Sequence, residues 1–400
     1  MAQDNANVLQ INTAAARDSN SQVGVWSAIL YVAIAGNLTI ALGPMYWGGY
    51  SHYLHFSDTL IGRIMSAEDF GSTVGSVAGI FYMHRARTNL RTVTYAALAL
   101  YVAGNYLTPS LIGDPVLLKF CRFACGFSSG TTFLAAVTAV TGLKSAPRLI
   151  SVAYGTPYIA GFILQPILPQ VFSLWGFESS FKLVAAAAAA ALVLYPFFPT
   201  HAAVDKTPEE VGVPQMKSRV ALTLIALALL LQYVANSGVW LFFERIGVLA
   251  GHPEQSVANL VGLGTGMALI GTAAATALAT RLNALRAIVS GSCLIAVSAF
   301  MLRFSASLAI YAASICLFNI MITFLTAFYF ILLTRTFHPA RAVVIGNMST
   351  MLGYSLGPLL IGYTVRGGTF TVAIDTTIGF FALSVALLVV YAVMSRRGWQ

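Results

Sequence analysis

Charged residues are scarce in this 400-residue chain, where 22 Lys+Arg and 13 Asp+Glu amount to only 9% of the sequence. Soluble domains carry roughly 25% charged and about 45–50% apolar residues, whereas 58% of this chain is hydrophobic. Its apolar runs exceed the roughly 20 residues that cross a bilayer. The composition therefore indicates a polytopic protein of the lipid bilayer, and no nucleic-acid partner is expected despite the net charge of +9.

Sequence patterns for metal, nucleotide and nucleophile chemistry are also missing. The four cysteines lie in apolar stretches without CxxC or Cys/His spacing, so packing is their expected role. There is no HExxH, Walker A or paired-aspartate motif, and we expect neither a metal nor another cofactor. A GxSxG pattern at 126–130 lies inside a predicted membrane helix, whereas a nucleophile elbow needs a strand-to-helix turn. An enzyme is therefore not expected.

Twelve apolar segments predict an all-α membrane protein with twelve transmembrane helices. Proline, glycine, asparagine and aspartate separate these segments at positions typical of turns and helix caps. Residues 1–22 are polar and predict a disordered cytoplasmic tail. The predicted helices cover residues 24–50, 58–82, 90–110, 115–141, 148–172, 179–199, 219–246, 255–280, 285–303, 306–333, 341–365 and 370–394.

A long polar linker at residues 201–218 divides the chain into two predicted six-helix bundles, at 23–200 and 219–400. A sequence offset of 192 residues relates Pro147 to Pro339, and similar offsets relate further glycines and prolines. Two such halves, related by an axis along the membrane normal, are a transporter architecture with the substrate site between them near the midplane.

The distribution of basic residues predicts the orientation in the membrane. Most Lys and Arg residues lie in segments on the side of the N-terminus. The positive-inside rule therefore predicts a multi-pass protein of the cell (inner) membrane with both termini in the cytoplasm.

Two local motifs support a family resemblance. The fourth predicted helix carries an arginine and two glycines at four-residue spacing, Arg122-x-x-x-Gly126-x-x-x-Gly130. The fifth carries a glycine–proline motif interrupted by threonine, Gly155-Thr156-Pro157, with Gly161 beyond it. With the twelve segments, the linker and the repeat, they make the chain from about 24 to 394 resemble the major facilitator superfamily of secondary transporters. The resemblance implies two pseudo-symmetric six-helix bundles, alternating access, an arginine associated with proton coupling, and a fifth-helix motif typical of antiporters.

The loop after the second predicted helix departs from the family's motif in that place. Gly79, Arg87 and Arg91 match its first glycine and its basic positions. Met83 replaces its acidic residue, and Ala86 replaces its second glycine. The usual charge contact of this loop is therefore not expected.

Three ionisable side chains lie at membrane depth, where each costs a few kcal/mol. At about 1.5 Å per residue, Glu68 and Asp69 lie roughly 15 Å deep in the membrane and Arg122 lies about 10 Å deep. In the resembled fold, the helix of Arg122 packs against the helix of Glu68 and Asp69. Neighbouring helical residues point about 100° apart. We predict that one carboxylate pairs with Arg122 and the other exchanges a proton, and a purely structural ion pair is the alternative. Neutralising any of the three should then abolish proton-driven transport without loss of expression.

Small-residue faces and one charged pair leave alternatives open. Gly71 and Gly75 in the second helix, and Gly353 and Gly357 in the eleventh, either form a sliding contact between the halves or are plain tight packing. The Glu–Arg pair at 244–245 is either solvated or part of an outer gate that closes against the first helix.

Aromatic, amide and hydroxyl side chains predominate on the four helices that line the cavity in the resembled fold. Such a lining is typical of a site for an amphiphilic or aromatic organic molecule. The predicted substrate-binding residues are Asn37, Arg122, Gln232, Tyr233, Asn236, Trp240, Asn319 and Thr323.

These observations favour a monomeric, proton-coupled secondary active transporter in which proton antiport drives efflux of a small organic or drug-like amphiphile. The alternative is proton-coupled uptake of a small organic anion, with Arg122 binding its carboxylate. A membrane-embedded enzyme or lipid-handling protein that keeps this fold is a third class.

Overall fold

The computed structural model describes residues 22–83, 89–141, 146–201, 219–337, 339–365 and 369–396. Within these residues the chain forms twelve helical segments, which confirms the predicted all-α membrane fold. The predicted tail and linker lie outside the described residues, except for residues 22 and 201. The segments are α1 (Gln22–Ala35, Leu38–Ala41 and Gly43–His52), α2 (Asp58–Met83), α3 (Leu90–Leu107), α4 (Pro115–Thr141), α5 (Ala146–Leu164 and Leu168–Trp175), α6 (Phe177–Ala190), α7 (Arg219–Trp240 and Phe243–Leu249), α8 (Glu254–Leu278), α9 (Ala284–Met301), α10 (Leu308–Thr336), α11 (Pro339–Gly362) and α12 (Thr371–Arg396).

Nine segments of the described chain, α4 to α12, are each long and apolar enough to cross a membrane. α2 has the length to do so, at 26 residues, but Arg63, Glu68 and Asp69 lower its hydropathy. α1 is interrupted around Asn37 and again at Leu42, so none of its pieces is a full span. The charged residues of α2 are therefore the first structural sign that the first half carries functional groups inside the membrane.

Asparagine caps begin α3 and α9 at equivalent places in the two halves. The Asn89 side chain accepts a hydrogen bond from the Thr92 backbone N–H at 3.0 Å, and the Asn283 side chain accepts one from Arg286 at 3.2 Å. Each cap satisfies a backbone donor that has no partner within its helix. The two caps are 194 residues apart, so the internal repeat extends to the helix ends.

Helix pairs recur in the second half with the helix number raised by six. α2 packs on α4 as α8 packs on α10, and α3 packs on α4 and α6 as α9 packs on α10 and α12. Between the halves, α5 packs on α8 and α11 packs on α2, which are again equivalent pairs. The fold is therefore two pseudo-symmetric six-helix bundles, as predicted.

Glycines let α2 and α4 approach backbone to backbone. A Cβ atom at Gly126 would overlap the carbonyl oxygen of Glu68, and one at Gly71 would overlap the carbonyl oxygen of Phe123. Such contacts between small residues are a main source of helix association in membranes. This close approach brings the second-helix carboxylates within reach of the fourth helix.

The hypothesis of a sliding contact between the halves is wrong for the four glycines that it named. Gly71 and Gly75 pack on α4, in their own half, and Gly353 and Gly357 pack on α7, in theirs. The interface between α2 and α11 contains two other glycines, Gly62 and Gly362, and a hydroxyl pair, Thr73 and Ser355, 3.0 Å apart. Four-residue spacing marks a close helix partner in both places, but it does not identify the partner.

Substitution of Gly126 by valine is expected to disrupt the contact between α2 and α4 and to destabilise the protein. The added side chain must displace the α2 backbone, and overpacking of this kind costs roughly 3 kcal/mol or more. We expect a lower melting temperature in detergent. Gly379→Val is the matched control, because Gly379 is also helical but a Cβ atom there meets nothing within 4 Å. Equal melting temperatures for the two variants would contradict this packing.

Candidate functional site

Glu68 and Arg122 form a fully buried ion pair between α2 and α4. Arg122 Nη2 lies 2.5 Å from Glu68 Oε1, and Arg122 Nε donates to Glu68 Oε2 at 3.1 Å. The two residues are only 3% and 1% exposed, respectively. A paired, parallel arrangement of this kind is the strongest form of carboxylate–guanidinium contact. Of the two carboxylates, Glu68 is therefore the one that pairs with Arg122.

Polar side chains from α1 and α3 surround this ion pair. Arg122 Nη1 donates to Asn105 Oδ1 at 3.0 Å and to Thr108 Oγ1 at 3.2 Å. Thr39 Oγ1 donates to Glu68 Oε1 at 2.5 Å and lies 2.9 Å from the Tyr101 hydroxyl. These bonds compensate for the loss of water around both charges, which a buried pair needs in order to be stable.

Asp69 points away from the ion pair, because consecutive helical residues project about 100° apart. Its side chain lines a cavity of about 260 Å³ between the two halves. Asp69 is the only acidic, basic or histidine residue among the described residues of this lining. No described side chain donates a hydrogen bond to its carboxylate or forms an ion pair with it. Two adjacent carboxylates thus have different surroundings, one neutralised within the protein and one open to the cavity.

Residues of eight helices line the cavity near the middle of their segments. Its aromatic residues come from α4, α5, α7 and α11: Phe133, Tyr154, Tyr158, Tyr233, Trp240 and Tyr354. Its amides and hydroxyls come mainly from α1, α2, α7, α8 and α10: Asn37, Ser72, Thr73, Ser76, Asn236, Thr265 and Asn319.

Five of the eight residues predicted to bind substrate line this cavity: Asn37, Tyr233, Asn236, Trp240 and Asn319. Their side chains are partly held by the protein. Asn37 accepts a hydrogen bond from Ser129 at 3.0 Å, and the Tyr233 hydroxyl lies 2.8 Å from Thr326 Oγ1. The cavity therefore has a lining of fixed polar groups rather than freely rotating ones.

The other three predicted residues lie outside the cavity. Arg122 is enclosed by its partners on the far side of Glu68. Gln232 is buried and accepts from Ser292. Thr323 donates to the Ala268 carbonyl at 2.7 Å and so joins α10 to α8. These side chains face neighbouring helices, because a helix that lines a cavity exposes only one of its sides to it.

Sequence reasoning missed the tyrosines of α5 and α11, because it took only helices one, four, seven and ten as cavity-lining. Tyr154 and Tyr158 flank Pro157, which itself lines the cavity, and Tyr354 lies one turn before Pro358. Prolines inside both helices were the available signal, since interrupted segments in corresponding positions of two repeats point to a transporter's binding site.

Contacts between the halves close one face of the molecule. α1 begins and α12 ends on one side, the terminal face, and the loop between α1 and α2 lies on the opposite face. On that opposite face the rings of Trp47 and Phe242 lie 4.3 Å apart. Arg63 Nη2 donates to the Tyr363 hydroxyl at 2.6 Å, so α2 and α11 are also joined there.

Glu244 lies inside this closure and is only 4% exposed. It packs directly against Gly48 of α1, where a Cβ atom would overlap its carboxylate. Of the two alternatives for the Glu–Arg pair, this position agrees with a gate that closes against the first helix and disagrees with a solvated pair.

Arg91, a basic residue of the modified loop motif after α2, contacts the end of the first half rather than an acidic residue of the motif. Arg91 Nε donates to the Phe198 carbonyl at 2.5 Å, and the guanidinium lies over the Tyr195 ring. Both partners belong to the first half, so this arginine holds α3 to the end of α6. Residues 86 and 87 of the motif lie outside the described residues.

Two repeated six-helix units, a central cavity between them and a closure on one face define a multi-pass membrane transporter. The sequence model described as Major Facilitator Superfamily matches residues 27–358. The chain belongs to this family and is a transporter rather than an enzyme. No curated protein has a sequence that matches it.

Solved structures of other transporters share the fold at low sequence identity. The nucleoside transporter NupG is 13% identical, with a TM-score of 0.71 over 94% of this chain and 99% of that one. A D-xylose-proton symporter is 11% identical, with a TM-score of 0.70 over 93% and 96%. A POT family transporter in complex with 5-aminolevulinic acid is 11% identical, with a TM-score of 0.72 over 93% and 96%. At these identities the likeness concerns the fold alone.

Proposed function

We propose that this protein is a proton-coupled transporter that exchanges protons for a small organic or drug-like substrate by alternating access. The observation that carries the proposal is the environment of Asp69, an acidic group open to the central cavity and without a partner among the described residues. A carboxyl group in that position can bind a proton from one side of the membrane and release it to the other. Intramembrane carboxylates with this kind of access are typical of proton relays.

The ion pair of Glu68 and Arg122 supports this division of roles. Glu68 is paired with Arg122, which leaves Asp69 as the carboxylate without a partner among the described residues. The pair in turn positions α2 against α4 and fixes the direction in which Asp69 points. Glu68 and Arg122 are therefore positioning residues for proton coupling, and Asp69 is the group that binds the proton.

The cavity and the predicted topology support proton antiport. Proton antiport suits a cavity in which one acidic group serves both proton and substrate, and the motif at Gly155–Pro157 is similar to that of antiporters. If the protein lies in the cell (inner) membrane with its terminal face toward the cytoplasm, the closed face points away from the cytoplasm. The cavity then receives substrate from the cytoplasm. The protein then works as a monomeric efflux system.

Uptake of an organic anion is the weaker alternative. It needs Arg122 to bind the substrate's carboxylate, but Arg122 is already neutralised by Glu68 and lies outside the cavity lining. An anion in the cavity would face Asp69 without a compensating cation.

A proton gradient in proteoliposomes tests the proposed coupling. The full chain is reconstituted with an acidic interior and offered a radiolabelled panel of small amines, alcohols and carboxylates one at a time. Antiport should accumulate a panel compound inside as protons leave, and symport should deplete it. Protein-free liposomes correct for passive trapping of weak acids and bases. Transport that persists unchanged after an uncoupler has removed the gradient would contradict proton coupling.

A further inference from the structure

The central cavity combines one carboxylate with a wall of aromatic rings. We propose that the transported substrate is a small organic monocation, held by Asp69 and by the faces of the surrounding rings. The inference rests on the proposed transport function and specifies the substrate class of the same site. Three properties of the cavity support it: its charge, its rings and its size.

The charge of the cavity is that of Asp69 alone. Arg122, the nearest buried cation to α2, is engaged by Glu68 and by the polar groups of α3. A neutral ligand would leave a carboxylate unpaired at membrane depth, and an anion would add a second negative charge beside it, which is costly in a low-dielectric site. A ligand with one positive charge neutralises the site, whereas a dication would leave one charge uncompensated.

The aromatic rings stand at angles to one another, as they do in sites for ammonium groups. Tyr354 lies 6.5 Å from Tyr233 at 49° and 6.2 Å from Trp240 at 50° between ring planes. Tilted rings offer their negative faces from several directions to one cation, and each such contact contributes about 0.5–2 kcal/mol when water is excluded. Phe133 and Tyr154 form a further edge-on pair on the other half, at 5.2 Å and 84°.

The amides of the lining are held by the protein to different extents, and the Asn37 oxygen already accepts from Ser129. Asn319 Nδ2 donates to the Ile315 carbonyl at 2.8 Å, and Asn37 Nδ2 donates to the Ala33 carbonyl at 3.0 Å. Each amide nitrogen uses one of its two N–H groups in these bonds, and no described hydrogen bond engages the Asn319 oxygen. A carbonyl oxygen in the same lining as Asp69 can turn its negative end toward a bound cation.

The size of the cavity limits the cation. At about 260 Å³, it is slightly smaller than the roughly 300–1,000 Å³ of sites for drug-sized ligands. The expected substrate is therefore a small amine or quaternary ammonium ion with an apolar portion, rather than a large multi-ring compound.

A shared site explains how the cation and the proton are exchanged. Both neutralise Asp69, so binding of one excludes the other, and exchange of one proton for one monocation moves no net charge. The other titratable side chains of this lining are Tyr154, Tyr158, Tyr233 and Tyr354, and Glu68 is the neighbouring carboxylate on the same helix. Tyrosines are neutral at physiological pH, and Glu68 is neutralised by Arg122. Asp69 is therefore the group at which proton and cation compete.

Three probes of one shape and different charge test the substrate class. They are choline, its uncharged isostere in which carbon replaces the quaternary nitrogen, and the tert-butylacetate anion. Binding to the purified full chain is measured by calorimetry, with benzyltrimethylammonium as a larger cation. We expect choline to bind at least about tenfold more tightly than the isostere in the wild type. In Asp69→Asn this preference should shrink to the smaller part that the aromatic rings supply, because the variant removes the charge contact and keeps the rings. Asp375→Asn is the matched control and should retain the preference, since Asp375 pairs with Arg303 on the exposed surface.

Each outcome of this experiment decides the proposal. Equal affinities of choline and its isostere in the wild type, a preference for the anion, or no binding of either quaternary ammonium ion would overturn it. An undiminished cation preference in Asp69→Asn would also overturn it.

Transport assays separate the failure of this proposal from the failure of proton coupling. Proton-driven transport of the uncharged isostere at the rate of choline would overturn the cation proposal and leave proton coupling standing. Cation binding that depends on Asp69, without any exchange of protons, would overturn proton coupling and leave the cation proposal standing. Choline exchange should also be independent of an imposed potassium diffusion potential, and a rate that follows the potential would contradict a one-for-one exchange.

Discussion

Replacement of Asp69 by asparagine is expected to abolish proton-driven transport completely while leaving the protein folded. Asparagine has nearly the shape of aspartate but cannot release a proton at physiological pH. The Asp69 side chain lines a cavity, and its carboxylate makes no described hydrogen bond or ion pair. Its neutralisation therefore removes a buried charge rather than a structural bond. We expect the variant to equilibrate substrate across the membrane without accumulating it, as measured in proteoliposomes with an imposed proton gradient.

Asp375→Asn controls for the loss of one carboxylate from the chain. Asp375 lies on α12 and forms an exposed ion pair with Arg303, and pairs of that kind contribute little to stability. This variant should accumulate substrate as the wild type does. Accumulation by Asp69→Asn at the wild-type level would show that the proton binds elsewhere.

Neutralising a single member of the Glu68–Arg122 pair is expected to destabilise the fold and not only to impair transport. Glu68→Gln leaves the Arg122 guanidinium buried without its counter-charge, and breaking a buried pair in this way costs about 3–5 kcal/mol. Arg122→Gln leaves the Glu68 carboxylate in the same situation. This expectation replaces the prediction that expression stays intact for all three charge variants. Glu68 and Arg122 neutralise each other, so loss of one leaves the other unpaired, whereas Asp69 has no described partner to leave unpaired.

Melting temperatures in detergent and the yield of folded protein measure the effect. The double variant Glu68→Gln with Arg122→Gln should be more stable than either single variant, since it leaves no unpaired charge and its amides can bond to each other, to Asn105 and to Thr39. A double variant as unstable as the sum of the two single ones would contradict direct coupling between these side chains.

Much of the fold could be predicted from the sequence, because membrane spans have a simple physical signature. Long apolar runs and the turn residues between them gave twelve helices, and the repeated prolines and glycines indicated two halves. The partner of a glycine face could not be predicted in this way. Gly71 and Gly75 have the spacing of a close contact, but only the three-dimensional arrangement places that contact on α4 rather than on α11.

The candidate site was predictable in part. Charges at membrane depth identified Glu68, Asp69 and Arg122, since few reasons exist to bury them. Which carboxylate meets Arg122 depends on a rotation of about 100° around the helix axis, and a depth count along the sequence does not contain that angle. The same limitation placed Gln232 and Thr323 in the cavity, although both face neighbouring helices.

The most direct test of proton exchange at Asp69 is the internal pH of pyranine-loaded proteoliposomes when a panel compound is added outside without a pH gradient. Wild-type protein should make the interior more alkaline, because each entering substrate drives a proton out. Asp69→Asn should leave the internal pH unchanged. Acidification by the wild type would establish symport instead of antiport, and an equal pH change in Asp69→Asn would contradict the role of Asp69.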